Sequence, residues 1–268
     1  MCGRFVLEAT TTELVDAFAL DGLGEAAPDG DLPARYNIAP TQPIVIVRSR
    51  EVPEGSNVPP REAALARWGL IPSWAKDPKD VPLLINARSE TAAQKASFRG
   101  PMRHGRILVP ASGFYEWRRT PNPSGKGKPL LEPFHVRPRA GGVVAFAGLL
   151  SREAGGEPLA SAAIMTVDAN DMFRPIHHRM PIVIEPSEFD RWLDCAAYDV
   201  GDVADLLRTP EPDLFEAIPV SDRVNRVANQ GPELIVPIEP RAEPVAPEPR
   251  AGEPRAGEAG GGQGDLFG

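Results

Sequence analysis

Short strand-like runs that do not alternate with helices set the limits on what this chain can fold into. Pro43–Val47, Arg106–Val109, Gly142–Leu150, Ala160–Val167 and Pro181–Ile184 are brief and rich in β-branched residues, so they read as strands. Helix signals are fewer. Thr10 with Glu13 forms a capping box ahead of an apolar face that includes Leu14, Val15 and Phe18. Ser89 is placed to cap a helix through Thr91–Phe98, and Ser187 one through Phe189, Trp192 and Leu193. A doubly wound parallel sheet needs regular alternation of strand and helix, and that alternation is missing. The pattern predicts a single α+β domain with a mixed, mainly antiparallel sheet and flanking helices.

The proline load locates the boundary of that domain. The chain holds 31 Pro among 268 residues, where average usage would give about 13. From Glu239 to Gly268 it reads EPRAEPVAPEPRAGEPRAGEAGGGQGDLFG, with six acids, three Arg and almost no large apolar residue before Leu266 and Phe267. Such a segment cannot bury enough apolar surface to offset its ordering entropy, so residues 239–268 are expected to be disordered and residues 2–238 to fold. The tail's net charge is −3, leaving −8 − (−3) = −5 for the folded part. That balance argues against a generally basic coat but leaves room for a local basic groove. Glu51–Glu62, EVPEGSNVPPRE, reads as a loop insert.

Two cysteines are too few for a disulfide framework or a zinc finger. Glu8 and a Thr run stand where a signal peptide would be apolar, so the expected compartment is the cytoplasm, in association with the nucleoid. No apolar run approaches the ~20 residues of a membrane helix, and no membrane partner is predicted.

Cys2 is the first residue with chemical promise. Met1 is normally excised before a small second residue, which would leave a terminal amine and a thiol on adjacent carbons. Their ordinary pKa values, about 7.7–8.0 and 8.5, leave useful fractions of both nucleophiles near neutrality. With an aldehyde, such a 1,2-aminothiol forms an imine and then a thiazolidine, which no internal cysteine can do. An incidental buried thiol is the plainer reading of position alone. Asn86-Ala87-Arg88 ends an apolar strand just before a helix begins, a natural anion site but also an ordinary turn. Glu116, flanked by Tyr115 and Trp117, is a candidate acid–base carboxylate or a solvent-facing strand residue. His177 and His178 are adjacent, and on an extended segment they would point opposite ways, making a poor metal pair. Cys195 sits in the helical Arg191-Trp192-Leu193-Asp194-Cys195 and reads as a packed core thiol.

Seven blocks carry a resemblance. MCGRF at the start, RYNIAP (35–40), WGLIPSW (68–74), NARSET (86–91), GFYEW (113–117), IHHRMP (176–181) and ANQGPELI (228–235) stand in order across residues 2–238. Together they resemble the SRAP (SOS-response-associated peptidase) family of abasic-site processing proteins. The resemblance implies a β-barrel-like core, a monomer, no metal and no cofactor, and a positively lined groove for single-stranded DNA containing abasic sites. It implies that Cys2 is the nucleophile toward the aldehyde and that Asn86 holds the attacking terminus. Glu116 would position or deprotonate the amine, and His177 would shuttle protons. Arg4, Arg88 and Arg179 would contact phosphates, Asn37 would join the DNA-binding set, and Pro40 with Trp74 would form the wedge against bases. The chain departs from the family at Ala75, where some relatives carry a second Trp, and in Gln94-Lys95-Ala96, where some place another basic residue.

The function expected is covalent capture of abasic sites through a thiazolidine, shielding the lesion during the DNA damage response. A cysteine-type peptidase acting mainly in cis is the alternative, and a non-catalytic reader of modified bases is a third. At the far end, Gln263, Asp265, Leu266 and Phe267 resemble the short clamp-binding peptide of bacterial replication and repair proteins, which makes a sliding clamp an expected partner.

Overall fold

The computed structural model describes residues 2–50, 60–122, 127–154 and 156–239. The chain opens with β1 (Phe5–Leu7), α1 (Thr11–Phe18), β2 (Arg35–Ile38), β3 (Pro43–Ser49), β4 (Arg61–Trp68) and β5 (Asn86–Arg88). It continues through α2 (Ser89–Ala92), α3 (Arg99–His104), β6 (Arg106–Ala111), β7 (Gly113–Thr120) and β8 (Leu130–Pro138). The remaining elements are β9 (Val144–Ala154), β10 (Glu157–Asp168), β11 (Arg179–Pro181), β12 (Val183–Ile184), α4 (Phe189–Leu193) and β13 (Phe215–Pro219), with short 3₁₀ turns between.

The strands close into a barrel. β10 pairs with β4 in parallel, and β4–β3, β3–β6, β6–β9 and β9–β10 then return antiparallel to the start. Val45, Ile46 and Val47 of β3 and Leu108 and Val109 of β6 are buried without alternation, as strands covered on both faces must be. A second sheet in the order β13-β8-β7-β1-β2 packs beside the ring. Phe114 of β7 joins the two, its ring meeting Phe146, Phe173 and Phe215 edge-on at centroid distances of 5.9, 5.5 and 5.6 Å. The mixed, mainly antiparallel α+β fold is as the sequence predicts, with a barrel at its centre. Among the described residues, no helix is long and apolar enough to cross a membrane.

α1 forms as its capping box dictates. Glu13 N donates to Thr10 Oγ1 at 3.2 Å, and Thr10 N donates back to Glu13 Oε2 at 2.7 Å. The helix buries Leu14 and Phe18 and ends at Ala19 in a left-handed conformation, φ 49°. Phe18 stacks on Phe189 of α4 with centroids 5.3 Å apart.

Several local expectations need correction. The helix expected through Thr91–Phe98 ends at Ala92, with turns over 93–98 before α3, and Ser89 is the first residue of α2 rather than a side-chain cap. Pro101 lies in the first turn of α3, where its missing N–H is tolerated. Ser187 does not cap α4 either, because Pro186 opens a 3₁₀ turn over Pro186–Glu188 and α4 starts only at Phe189. Pro181–Ile184 is not one strand. β11 pairs with β10 and β12 with β9, and Ile182 between them bonds both Met165 and Ala147. Arg61 and Glu62, read as loop, begin β4, while residues 51–59 lie outside the described residues. Cys195 lies beyond the end of α4, is only half-buried, and is not a core thiol. The tail beyond residue 239, with its clamp-like end, also lies outside the described residues.

Candidate active site and nucleic-acid interface

Four chain segments, the start of the chain, β5, β7 and the turn before β11, carry the candidate site, and the pairing of strands brings them together. β1 lies against β7 with Phe5 opposite Phe114, so the start of the chain runs past Glu116. β5 lies parallel to β10, with Asn86 opposite Ile164 and Arg88 opposite Thr166. β11 lies on the far end of β10, with Arg179 opposite Asp168, and the turn before it carries His177. Trp68 braces the first two segments: its ring meets Phe5 edge-on at 5.2 Å, and its Nε1 donates to Ile85 O at 3.0 Å.

The four residues expected to act on the lesion do meet. Asn86 Nδ2 donates to Cys2 O at 3.0 Å. Asn86 Oδ1 is buried with no hydrogen-bond partner among the described residues, an acceptor left over for something else. Cys2 is fully buried, its Sγ 3.7 Å from Arg4 O. Burial first, and then the nearby Glu116 carboxylate, raise the thiol well above its usual range, so it is held protonated. Glu116 is itself buried, and burial raises its pKa from the ordinary carboxylate value, the direction proton transfer near neutrality needs.

His177 stands beside Glu116, Nδ1 to Oε1 at 3.9 Å. Burial and neighbouring positive charge push its pKa down to about 4, so at neutral pH the imidazole is uncharged despite the carboxylate. Arg179 N–H donates to His177 Nδ1 at 3.0 Å. Arg179 O lies 3.1 Å from the same nitrogen, so the Arg179 backbone holds the ring from both sides. The expected opposition of His177 and His178 is not found. The two rings stack at 4.3 Å, because the segment is a turn and strand alternation does not apply there. His178 is exposed, and His177 is the one that meets Glu116.

The six residues expected to touch DNA divide by exposure. Arg88 and Trp74 are open, Trp74 at 58 %. Pro40 is half-buried in a turn that holds Thr41 at φ 74°, where Thr41 N donates to Trp68 O at 2.7 Å. Asn37 is buried, its Oδ1 accepting from Arg4 Nη1 at 2.8 Å. Its Nδ2 faces the carbonyls of Val224, Arg226 and Asn229 at 3.2, 3.1 and 2.9 Å. Asn37 therefore ties the 222–229 strap to β2 and fixes Arg4, whose Nη1 also donates to Val224 O at 2.9 Å. Arg179 is nearly buried. It meets Glu90 and Asp168 at 2.7 and 2.6 Å and donates to Thr166 O at 2.6 Å. Its charge is thus matched by two carboxylates on the open side.

Glu90 and Asp168 were missed in the sequence. Glu90 sits inside the NARSET block, so a signal existed. Asp168 becomes Arg179's partner only through strand register, which no local pattern reveals. Trp117 was also passed over: it is half-buried, and its Nε1 donates to Asn225 Oδ1 at 2.7 Å.

A barrel that threads its own amino terminus between an Asn, a Glu and a His defines a recognisable class. The model of the SOS response associated peptidase (SRAP) family matches residues 1–227, and the chain belongs to that family. It is 36 % identical over 237 residues to abasic site processing protein YoqW of Bacillus subtilis, covering 88 % of this chain and 99 % of that protein. It is 34 % identical to abasic site processing protein HMCES of Gallus gallus, over 89 % of this chain and 78 % of that one. A solved structure of a protein from Bacteroides thetaiotaomicron shares the fold, with a TM-score of 0.73 at 22 % identity, covering 88 % of this chain and 100 % of that one.

Proposed function

We propose that this protein captures abasic sites in single-stranded DNA by forming a thiazolidine between Cys2 and the open-chain sugar aldehyde. The observation that carries the reading is the convergence of Cys2, Asn86, Glu116 and His177. The abasic site processing relatives at 30–36 % identity support the lesion as substrate.

Removal of Met1 frees the amine of Cys2. The amine adds to the aldehyde carbon, and loss of water gives an imine. The thiol then adds across the C=N bond, sulfur to carbon and proton to nitrogen, closing the five-membered ring. A thiol held protonated by burial leaves the first attack to the amine and closes second. Glu116, with its raised pKa, takes the amine proton, and that proton, relayed through the neutral His177 beside it, leaves with the hydroxyl as water. Asn86 fixes the Cys2 carbonyl and so aims the amine. Arg88 and Trp74 hold the strand by charge and stacking.

The test is a denaturing gel of the protein with single-stranded DNA bearing one abasic site. An SDS- and heat-stable adduct is expected, lost in Cys2→Ala and in a chain carrying a permanent extra residue ahead of Cys2. An extended chain that crosslinks as well as the parent protein sinks the mechanism. The family description names a peptidase, and hydrolysis of an unrelated peptide by the same protein would favour that second reading.

The tail adds a proposal that rests on sequence alone. Gln263, Leu266 and Phe267 would anchor the protein to a sliding clamp, raising its local concentration near replicated DNA. A peptide of the last ten residues should bind the clamp at micromolar affinity in an anisotropy titration.

A further inference from the structure

Ion pairing is unevenly spread over this surface. Arg48, Arg61, Arg118, Arg137, Arg179 and Arg191 all lie against carboxylates. Lys95, Arg99 and Arg103 are exposed and form no ion pair among the described residues. In a chain of net charge −8, three unmatched cations in succession are out of keeping with the rest.

They also share one side. Arg99 N donates to Lys95 O at 2.8 Å, Met102 N to Phe98 O at 2.8 Å and Gly105 N to Pro101 O at 2.8 Å, so residues 95–105 keep a helical course. Residues four apart then stack on one face, about 6 Å of rise between each. Phe98 and Met102, from the same turns, are buried in the core. Trp74 stands across from this row. Together with Ser97, Arg99, Pro101, Arg103 and His104 it lines a cavity of about 240 Å³.

The row begins at the candidate site. Arg88, at the end of β5, is opposite Thr166 of β10. Gly105, after α3, accepts from Leu150 N at 2.7 Å, and Leu150 is opposite Ala162 of β10. Four residues of β10 separate the two points, roughly 13 Å. α2 and α3 therefore lead away from the site along the barrel wall, carrying unpaired cations as they go.

We infer that Arg99 and Arg103, facing Trp74, with Lys95 one turn ahead of them, form an auxiliary site for the flanking part of the DNA strand, beyond the lesion and still single-stranded. The inference rests on the DNA-binding half of the proposed function. Phosphates lie along the cationic row, and an unpaired base stacks on the indole. A duplex hides its base faces, whereas a single strand offers them, so Trp74 selects the single strand.

The test uses the full-length protein and lesion-free oligonucleotides, so that it does not depend on Cys2 chemistry. Binding to single strands of six, ten and fourteen nucleotides and to a fourteen-base-pair blunt duplex is followed by anisotropy at several salt concentrations. The parent protein should gain affinity with strand length. Arg99→Gln with Arg103→Gln should lose most of that gain, about tenfold on the longest strand. Its log–log salt slope should fall by about 1.4, two contacts at roughly 0.7 each. Arg99→Glu with Arg103→Glu should weaken binding further, and thermal melts of both variants check folding. An unchanged slope, or a loss larger on the duplex than on the single strand, overturns the inference. Abasic crosslinking is scored separately on a gel: failure there with the slope change present removes the Cys2 mechanism and leaves this site standing.

Discussion

The buried cluster at Cys2 and the open rim around it are built on opposite electrostatic principles. Inside, burial raises the pKa of Cys2 and Glu116 and lowers that of His177, so each group is driven toward its neutral form. Outside, Arg88, Lys95, Arg99 and Arg103 are exposed and meet no carboxylate among the described residues. Proton transfer needs groups poised between charge states, and low-dielectric surroundings provide that. Gripping a polyanion needs permanent charge in water, where counterion release supplies the driving force. The difference teaches that rate and affinity are carried by separate residues here, so each should be damaged without the other.

The sharpest way to break that separation is within the cluster. Glu116→Gln and His177→Ala should slow adduct formation by about 10²–10⁴-fold, the usual range for general acid–base groups. Affinity for lesion-free single strands should stay near the parent value. A pH series sharpens the point. Burial pushes the His177 pKa down to about 4, so it relays protons as a neutral imidazole throughout the neutral range. The ratio of parent to His177→Ala rates should therefore be flat from pH 8 to about pH 5 and shrink as pH falls through 4. A break near 6.5, the ordinary histidine value, would contradict the buried environment. The sign for stability follows: with its folded pKa depressed, His177 contributes stability above pH 6.5 that is lost as pH falls toward 4.

The next effect joins cluster and scaffold. Trp68 is fully buried and holds β1 against the segment leading into Asn86. Trp68→Ala should cost about 3–5 kcal/mol by removing the ring and leaving a cavity, measurable as a shifted denaturant midpoint. It should also slow crosslinking more than it weakens DNA binding, because the Cys2–Asn86 contact depends on that brace.

What the sequence could reveal depended on distance along the chain. The α1 capping box and the strand runs are local, and both formed. The helix at Ser89 is shorter than its cap signal implies, ending at Ala92, and Pro186 opens a 3₁₀ turn where Ser187 would have capped a helix. Spacing alone left Cys2, Glu116 and His177 as separate candidates, each with a plainer alternative. Only the order of the seven blocks tied them together, and only strand pairing put Cys2, Asn86, Glu116 and His177 within reach of one another. The fate of Asn37 was not legible at all, since its partners lie some 190 positions away on the 222–229 strap.

The smallest expected effect separates two arginines that look alike in sequence. Arg88 is exposed and bears no carboxylate partner among the described residues, so Arg88→Ala should lower the salt slope of single-strand binding by about 0.7. Arg179 is clamped by Glu90 and Asp168, and a phosphate must compete with both carboxylates for its guanidinium. Counterions released from the DNA are then offset by the charge those carboxylates regain, so Arg179→Ala should lower the slope by less than Arg88→Ala does. Glu90 and Asp168 are 47 % and 76 % exposed at their side chains, so removing their charge costs little burial energy. Glu90→Gln with Asp168→Asn should therefore tighten single-strand binding and bring the Arg179 contribution up toward that of Arg88. Equal slopes for Arg88→Ala and Arg179→Ala in the otherwise unaltered protein would show that DNA displaces both carboxylates outright, and the contrast between paired and unpaired rim cations would disappear.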